Sequence, residues 1–325
     1  MSEAKVDFAA EVAAAYERIK RDIRRTPVEY SEAMSRETGA EVFVKWECDQ
    51  TTGSFKLRGA LNKLRSLSEG EKRRGVVSAS TGNHGLAISH ASRLEGVSLK
   101  LFLPETVAAV KKARIVAMGI DVEVRGASCD KAEMLAREFA ARNGRVFVSP
   151  YNDWDIVFGA GTVGLELAGD LARFDDVLVP VGGGGLIAGI AGFLEAVRPS
   201  ARVVGVEPET SAFMAASIAA GRLVDIDERE TIADAVAGGI EPGAITFPLC
   251  RDLVDAIEVV PESLIARGLA RVEALHGRIV EGAGALPFAA LLRSPGEWAG
   301  RTVVAVVSGG NIAPERFRAI VGACD

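Results

Sequence analysis

The chain has 325 residues, of which 48% are hydrophobic and 25% charged, enough to bury a large core and to divide into two lobes. Its formal net charge is -6 and it holds no basic run, which argues against a nucleic-acid footprint. No apolar stretch reaches the ~18 residues of a membrane span, and Cys48, Cys129, Cys250 and Cys324 stand far apart with no CxxC spacing, against both a structural zinc site and a disulfide framework.

Taken from the N-terminus, residues 1–27 predict an amphipathic helix without the apolar core and cleavage site of a secretory signal. With the scattered thiols, this sets the expected compartment as the cytoplasm. "TTGSFKLRGA" (51–60) reads as a turn entering a basic, helix-prone run. Then strands and helices alternate. Strands are predicted at 75–80, 97–104, 120–126 and 145–150, with helices at 83–96, 105–119 and 129–144 between them. A helix at 161–172, a strand into a loop at 176–185, a helix at 186–199 and strands at 201–208 and 302–311 follow. Such alternation implies α/β architecture: two lobes of open, mostly parallel, twisted sheets with helices on both faces. The short units at 75–147 are expected to form a small inserted domain, with 1–74 and 148–325 making the larger one.

Three strand ends carry candidate chemistry. "VPVGGGGLIAG" places Gly182, Gly183, Gly184 and Gly185 between an apolar strand and a helix. Four glycines cost conformational entropy. The gain is that N–H groups converge on an anion, aided by the positive end of the following helix. A phosphate fits. The GK[ST] ending of a triphosphate loop and the G-x-G-x-x-G spacing of a dinucleotide site are both absent. "SASTGNHG" (78–85) sets Ser80, Thr81 and Asn83 at a helix start, as caps or as a pocket for a carboxylate. His84 alone reads as a packing or hydrogen-bonding residue. "VVSGGN" (306–311) ends a buried strand on Ser308, the edge where open α/β sheets bind ligands.

A lysine, a phosphate cradle, a carboxylate turn and a strand-end serine together suit a phosphorylated aldehyde. "SFKLRGA", "STGNHG", "VGGGGLIAGIA" and "VVSGGN" occur in the order found in pyridoxal-phosphate enzymes of the tryptophan-synthase-β fold type, and the chain most resembles their threonine/serine dehydratase and serine racemase subgroup. The resemblance implies that Lys56 carries the cofactor imine and then acts as the Cα base. It implies that Phe55 packs against the ring, Asn83 bonds the ring oxygen, and Gly182, Gly183, Gly184, Gly185 and the Leu186 N–H hold the phosphate. Ser308 is expected to face the pyridine nitrogen, with the acidic Glu281 of "VEGAGA" near that end. Ser80, Thr81, Gly82, Asn83 and His84 are expected to line the substrate carboxylate site. The implied reaction is loss of water and ammonia from a 3-hydroxy amino acid, L-threonine or L-serine, to a 2-oxo acid, by a homodimer acting on a small molecule.

Alternatives stay open at this point. Thr81 stands where racemases of the family carry a serine acting on the opposite face of Cα, so racemisation is the second reading. Hydroxyaspartate, phenylserine and hydroxyectoine-derived substrates are further ones. A non-catalytic binding protein on the same fold would be marked by a lost lysine or a broken glycine loop, and neither is seen. Many relatives bind a divalent cation with an acidic pair after "VGVEP". Here Glu207 matches the first ligand but Phe213 occupies the second position, a poor donor set for a hard cation, so no metal is expected. With the sequence ending at Asp325, no C-terminal regulatory domain is expected, and a catabolic or specialised role fits better.

Overall fold

The computed structural model describes residues 6–107 and 109–323. Residues 1–5 of the predicted N-terminal helix, and Cys324, lie outside them. Ten strands occur among the described residues: β1 (Val28–Tyr30), β2 (Glu41–Trp46), β3 (Val76–Ala79), β4 (Leu99–Leu103), β5 (Asp121–Val124), β6 (Val146–Phe147), β7 (Asp176–Pro180), β8 (Arg202–Pro208), β9 (Ala256–Val260) and β10 (Thr302–Val307). They form a six-stranded sheet ordered β1-β2-β10-β7-β8-β9 and a four-stranded sheet ordered β5-β4-β3-β6. Every pair is parallel except the edge pair β1 and β2. The fold is therefore the expected α/β architecture.

The large sheet is covered on both faces, as its continuous apolar strands require. Val177, Val179, Val304 and Val306 pack with helices Phe8–Ile19, Trp154–Asp170 and Gly185–Val197. The alternate residues Leu178, Val204, Val303, Ala305 and Val307 pack with helices Glu262–His276 and Gly282–Arg293. In the small sheet Val76, Leu99 and Leu101 bury against helices Lys56–Ser66 and Asn83–Glu95. Val77, Ala79 and Phe102 pack with Ala136 and Ala140 of helix Cys129–Arg142.

Several elements depart from expectation, among them the N-terminal helix, which ends at Ile19 and not at residue 27. The strand foreseen at 145–150 ends at Phe147, and its last residues turn toward the site. The helix foreseen at 161–172 begins at Trp154, because Asp153 caps it by accepting from the Asp155 and Ile156 N–H groups. The helix foreseen at 105–119 is described over Ala109–Val116.

The helix that opens on Lys56 is pinned from below. Lys45, Glu47, Arg58 and Glu166 form a fully buried ionic cluster. Arg58 donates to Glu47 at 2.8 Å twice and to Glu166 at 2.8 and 2.9 Å, and Lys45 donates to Glu166 at 2.6 Å. Helices Lys56–Ser66 and Trp154–Asp170 approach closely enough for this reach because they cross at two glycines. A Cβ on Gly159 would lie 2.7 Å from the Gly59 Cα, and one on Gly59 would lie 2.9 Å from the Ile156 carbonyl oxygen.

Candidate active site

In the parallel core of the large sheet, β2, β10, β7 and β8 end on one edge, so Ser308 and the segment after Val181 emerge side by side. The lysine turn is stitched to that edge. Ser54 and Gly309 form an antiparallel bridge, Phe55 N–H donates to the Ser308 carbonyl at 3.1 Å, and Gly310 N–H donates to the Gly53 carbonyl at 2.9 Å. Lys56 is thereby set beside Ser308, itself 4% exposed.

The Lys56 amine donates to the Pro150 carbonyl at 2.8 Å and lies 5.0 Å from the centre of the Phe55 ring. Burial lowers its pKa to about 8, and the Glu281 carboxylate opposes the fall. Glu281 is buried and accepts from Asn83 Nδ2 at 2.6 Å. Both close over Gly309, where an added Cβ would meet the Glu281 carboxylate and lie 3.1 Å from Asn83 Nδ2. Four segments far apart in sequence thus deliver Lys56, Asn83, Glu281 and Ser308 to one place.

The glycine loop forms the other wall. Gly184 has φ of 84° and caps helix Gly185–Val197 without any side-chain acceptor, which leaves the first-turn N–H groups, Leu186 among them, for an external anion. The space over the backbone is already assigned. A Cβ on Gly183 would lie 2.5 Å from Tyr151 Cδ1, one on Gly182 would lie 2.8 Å from the Val236 carbonyl, and one on Gly184 would lie 2.9 Å from Cys250 Sγ. Only glycine fits such a cradle, and this fits a phosphate group.

The third wall is the turn at 80–83. Gly82 caps helix Asn83–Glu95, with no side chain completing the cap, and its N–H donates to Ser80 Oγ at 3.2 Å. Ser80, Thr81 and Asn83 are half-buried, and a Cβ added at Gly82 would meet nothing within 4 Å. His84 is the packing and hydrogen-bonding residue that its position alone suggests. Its ring turns inward, 3% exposed, with Nε2 3.0 Å from Ser78 Oγ. Ser78 donates to the Val148 carbonyl at 2.8 Å, so its oxygen receives the His84 Nε2–H. Burial, then the Lys56 charge, push the imidazole pKa down to about 3. A neutral, inward ring gives an incoming carboxylate only its backbone N–H.

Sequence reasoning missed Pro150, Tyr151 and Asn311. Pro150 closes the strand foreseen at 145–150, and Tyr151 follows it outside any predicted element. Tyr151 seats its ring on Gly183 and its hydroxyl oxygen accepts from the Glu241 N–H at 2.9 Å. Asn311 donates to Asn83 Oδ1 at 2.7 Å and to the Thr52 carbonyl at 2.9 Å.

Glu207 is 1% exposed. Its two oxygens accept from the N–H groups of Met214 and Ala215, at 2.9 and 2.7 Å, at the start of helix Phe213–Ala220. Burial raises its pKa to about 7. Among the described residues no group of three His, Cys, Asp or Glu side chains is arranged to hold a metal, and no helix is long and apolar enough to cross a membrane.

Comparison with known proteins gives the family. Residues 19–309 match the family model described as pyridoxal-phosphate dependent enzyme. The catabolic L-threonine dehydratase of Escherichia coli is 37% identical over 313 residues, 96% of this chain and 95% of that one. The processed form of threonine deaminase isoform 2 from Solanum lycopersicum superposes with a TM-score of 0.90 at 30% identity, over 97% of this chain and 92% of that one. Maize serine racemase superposes with a TM-score of 0.90 at 32% identity, over 94% of each chain.

Proposed function

The chain belongs to the pyridoxal-phosphate dependent enzyme family, and on that premise we propose that it is an ammonia-lyase which removes water and ammonia from L-threonine or L-serine. The products are ammonia and a 2-oxo acid. The observation that carries the reading is the Lys56 amine, lowered to about 8 by burial, near the Glu281 charge and next to Phe55, whose N–H holds the Ser308 carbonyl.

When bound, pyridoxal 5'-phosphate supplies an electron sink conjugated to the amino-acid nitrogen, which eases removal of the Cα proton. The chain's part is to hold and to move protons. Gly182, Gly183, Gly184, Gly185 and the Leu186 N–H fit the phosphate, Phe55 the ring face, and Asn83 the ring oxygen. Ser308 would offer the ring nitrogen a neutral hydroxyl in place of a carboxylate, with Glu281 nearby. Ser80, Thr81, Gly82 and Asn83, with the His84 N–H, fit the substrate carboxylate. Lys56, as a free amine, would be the base for the Cα proton. Its lowered pKa keeps a usable fraction of free amine near neutral pH.

Racemisation is the second reading, favoured by the Thr81 hydroxyl and by the likeness to maize serine racemase. We assign residues 75–147 as a small domain, with 1–74 and 148–325 as the large one. We also assign a cytoplasmic homodimer acting on a small molecule, supported by the cysteine usage and by the family. An amino-acid panel tests the function, with 2-oxo acid release and D-isomer formation followed separately. Release from threonine or serine is expected, and Thr81→Ala should suppress any D-isomer. Release of 2-oxo acid from neither would remove threonine and serine as the substrates and leave the cofactor assignment in place.

A further inference from the structure

We infer that Asn311 is a positioning residue that decides which end of the Asn83 amide meets the cofactor ring, a reading that rests on the proposed seat of pyridoxal phosphate at Asn83. The two ends of an asparagine amide are nearly the same shape, so shape alone does not orient it; its partners do.

Thr52 O can only accept, so the Asn311 atom 2.9 Å away is the amide nitrogen. Its second N–H points at the Asn83 atom 2.7 Å away, which is therefore the oxygen. The other end of Asn83 is then the nitrogen, and one of its hydrogens lies on Glu281 Oε1 at 2.6 Å. The remaining N–H of Asn83 has no protein acceptor among the described residues. It is the donor left over for a ring oxygen of anionic character, which an amide N–H attracts and an amide oxygen repels.

The position of Asn311 is itself fixed by the lysine turn. Gly53 has φ of 77°, and a Cβ there would lie 2.7 Å from Asn311 Oδ1 and 2.9 Å from its Nδ2. The Gly310 N–H closes the other side on the Gly53 carbonyl at 2.9 Å. The segment that presents Lys56 thus also sets the polarity of Asn83.

The test compares pyridoxal 5'-phosphate with 3-deoxypyridoxal 5'-phosphate, which lacks the ring oxygen, by titrating apoprotein and recording thermal midpoints. Wild type should prefer the complete cofactor by roughly tenfold or more, the ordinary worth of a hydrogen bond to a charged acceptor. Asn311→Asp is nearly isosteric but can only accept, so it puts a carboxylate at each end of the Asn83 amide. It should erase the preference and lower the thermal midpoint. Asn311→Asp with Glu281→Gln gives the reversed amide a complementary partner at both ends. The midpoint should recover in part, since the Thr52 carbonyl has still lost its donor, while the preference stays lost. If Asn311→Asp does not fold, the double variant carries the test alone. A preference kept in either variant, or recovered together with the midpoint, would overturn the role of Asn311. A wild type without preference would instead remove the seat of the ring at Asn83, and this proposal with it.

Discussion

A single methyl group at position 183 probes the phosphate cradle. In Gly183→Ala the new Cβ lies 2.5 Å from Tyr151 Cδ1 and 2.7 Å from Cδ2, where carbon atoms ordinarily stop at ~3.5–4.0 Å. The ring must retreat by about 1 Å to restore that spacing. It cannot do so freely. Its hydroxyl holds the Glu241 N–H at 2.9 Å, and the neighbouring Pro150 carbonyl holds the Lys56 amine at 2.8 Å. Overpacking of this kind costs about 1–3 kcal/mol, and the loosened hydrogen bond adds about 1 kcal/mol. At ~2 cal/mol/K of unfolding entropy per residue over 325 residues, each kcal/mol moves the thermal midpoint by about 1.5 °C. Scanning calorimetry of the apoprotein should therefore show a drop of roughly 3–6 °C. In a Tyr151→Ala background there is room for the methyl group, and the same substitution should lower the midpoint by about 1 °C or less. An equal drop in both backgrounds would refute the reasoning.

Three further outcomes are expected. The free Lys56 amine attacks aldehydes and the ammonium does not, so imine formation by apoprotein with pyridoxal should rise with pH around a midpoint near 8. Glu281→Gln removes the carboxylate that holds the pKa up and should shift that midpoint lower; stopped-flow absorbance over a pH series checks both. Glu166→Gln leaves buried Lys45 and Arg58 against Glu47, with Asp170 3.8 Å from Lys45 as the remaining anion. A loss of about 3–5 kcal/mol should appear as a lower thermal midpoint, while Arg25→Ala, at an exposed pair, should change it little. The Glu207 carboxyl rises from 4.5 unfolded to about 7 folded. The folded state therefore holds the proton more tightly, and stability is lost as pH climbs from about 4.5 to 7, by roughly 3 kcal/mol. The midpoint of Glu207→Gln relative to wild type should improve across that window and level off above it; a flat difference would contradict the burial argument.

What was legible follows the range of the forces involved. Continuous apolar runs such as "TVVAVV" and "DVLVP" announce central parallel strands because both faces are buried. The glycine run announces itself because its backbone has a local, costly conformation. Lys56, Asn83 and Ser308 were legible because each sits in a short motif. Tyr151 and Asn311 were not. Their meaning comes from partners in other segments, Gly183 for one and Thr52 with Asn83 for the other. His84 read as a packing or hydrogen-bonding residue, but its partners were not legible either. The helix start was visible, but the side chain follows Ser78 and the Val148 carbonyl, which only the folded small sheet brings together. The early start of helix Trp154–Asp170 was hidden by its glycines, which serve a crossing with another helix.

The open space beside Gly82 has a consequence for selection. At the crowded glycines, a library of variants sorted by cellular abundance and one sorted by turnover should reject the same replacements, because folding already fails. At position 82 a Cβ would meet no neighbour within 4 Å and φ is -109°, so alanine should pass the abundance sort and fail the turnover sort. The gap between the two scores would map room kept clear for the amino acid alone.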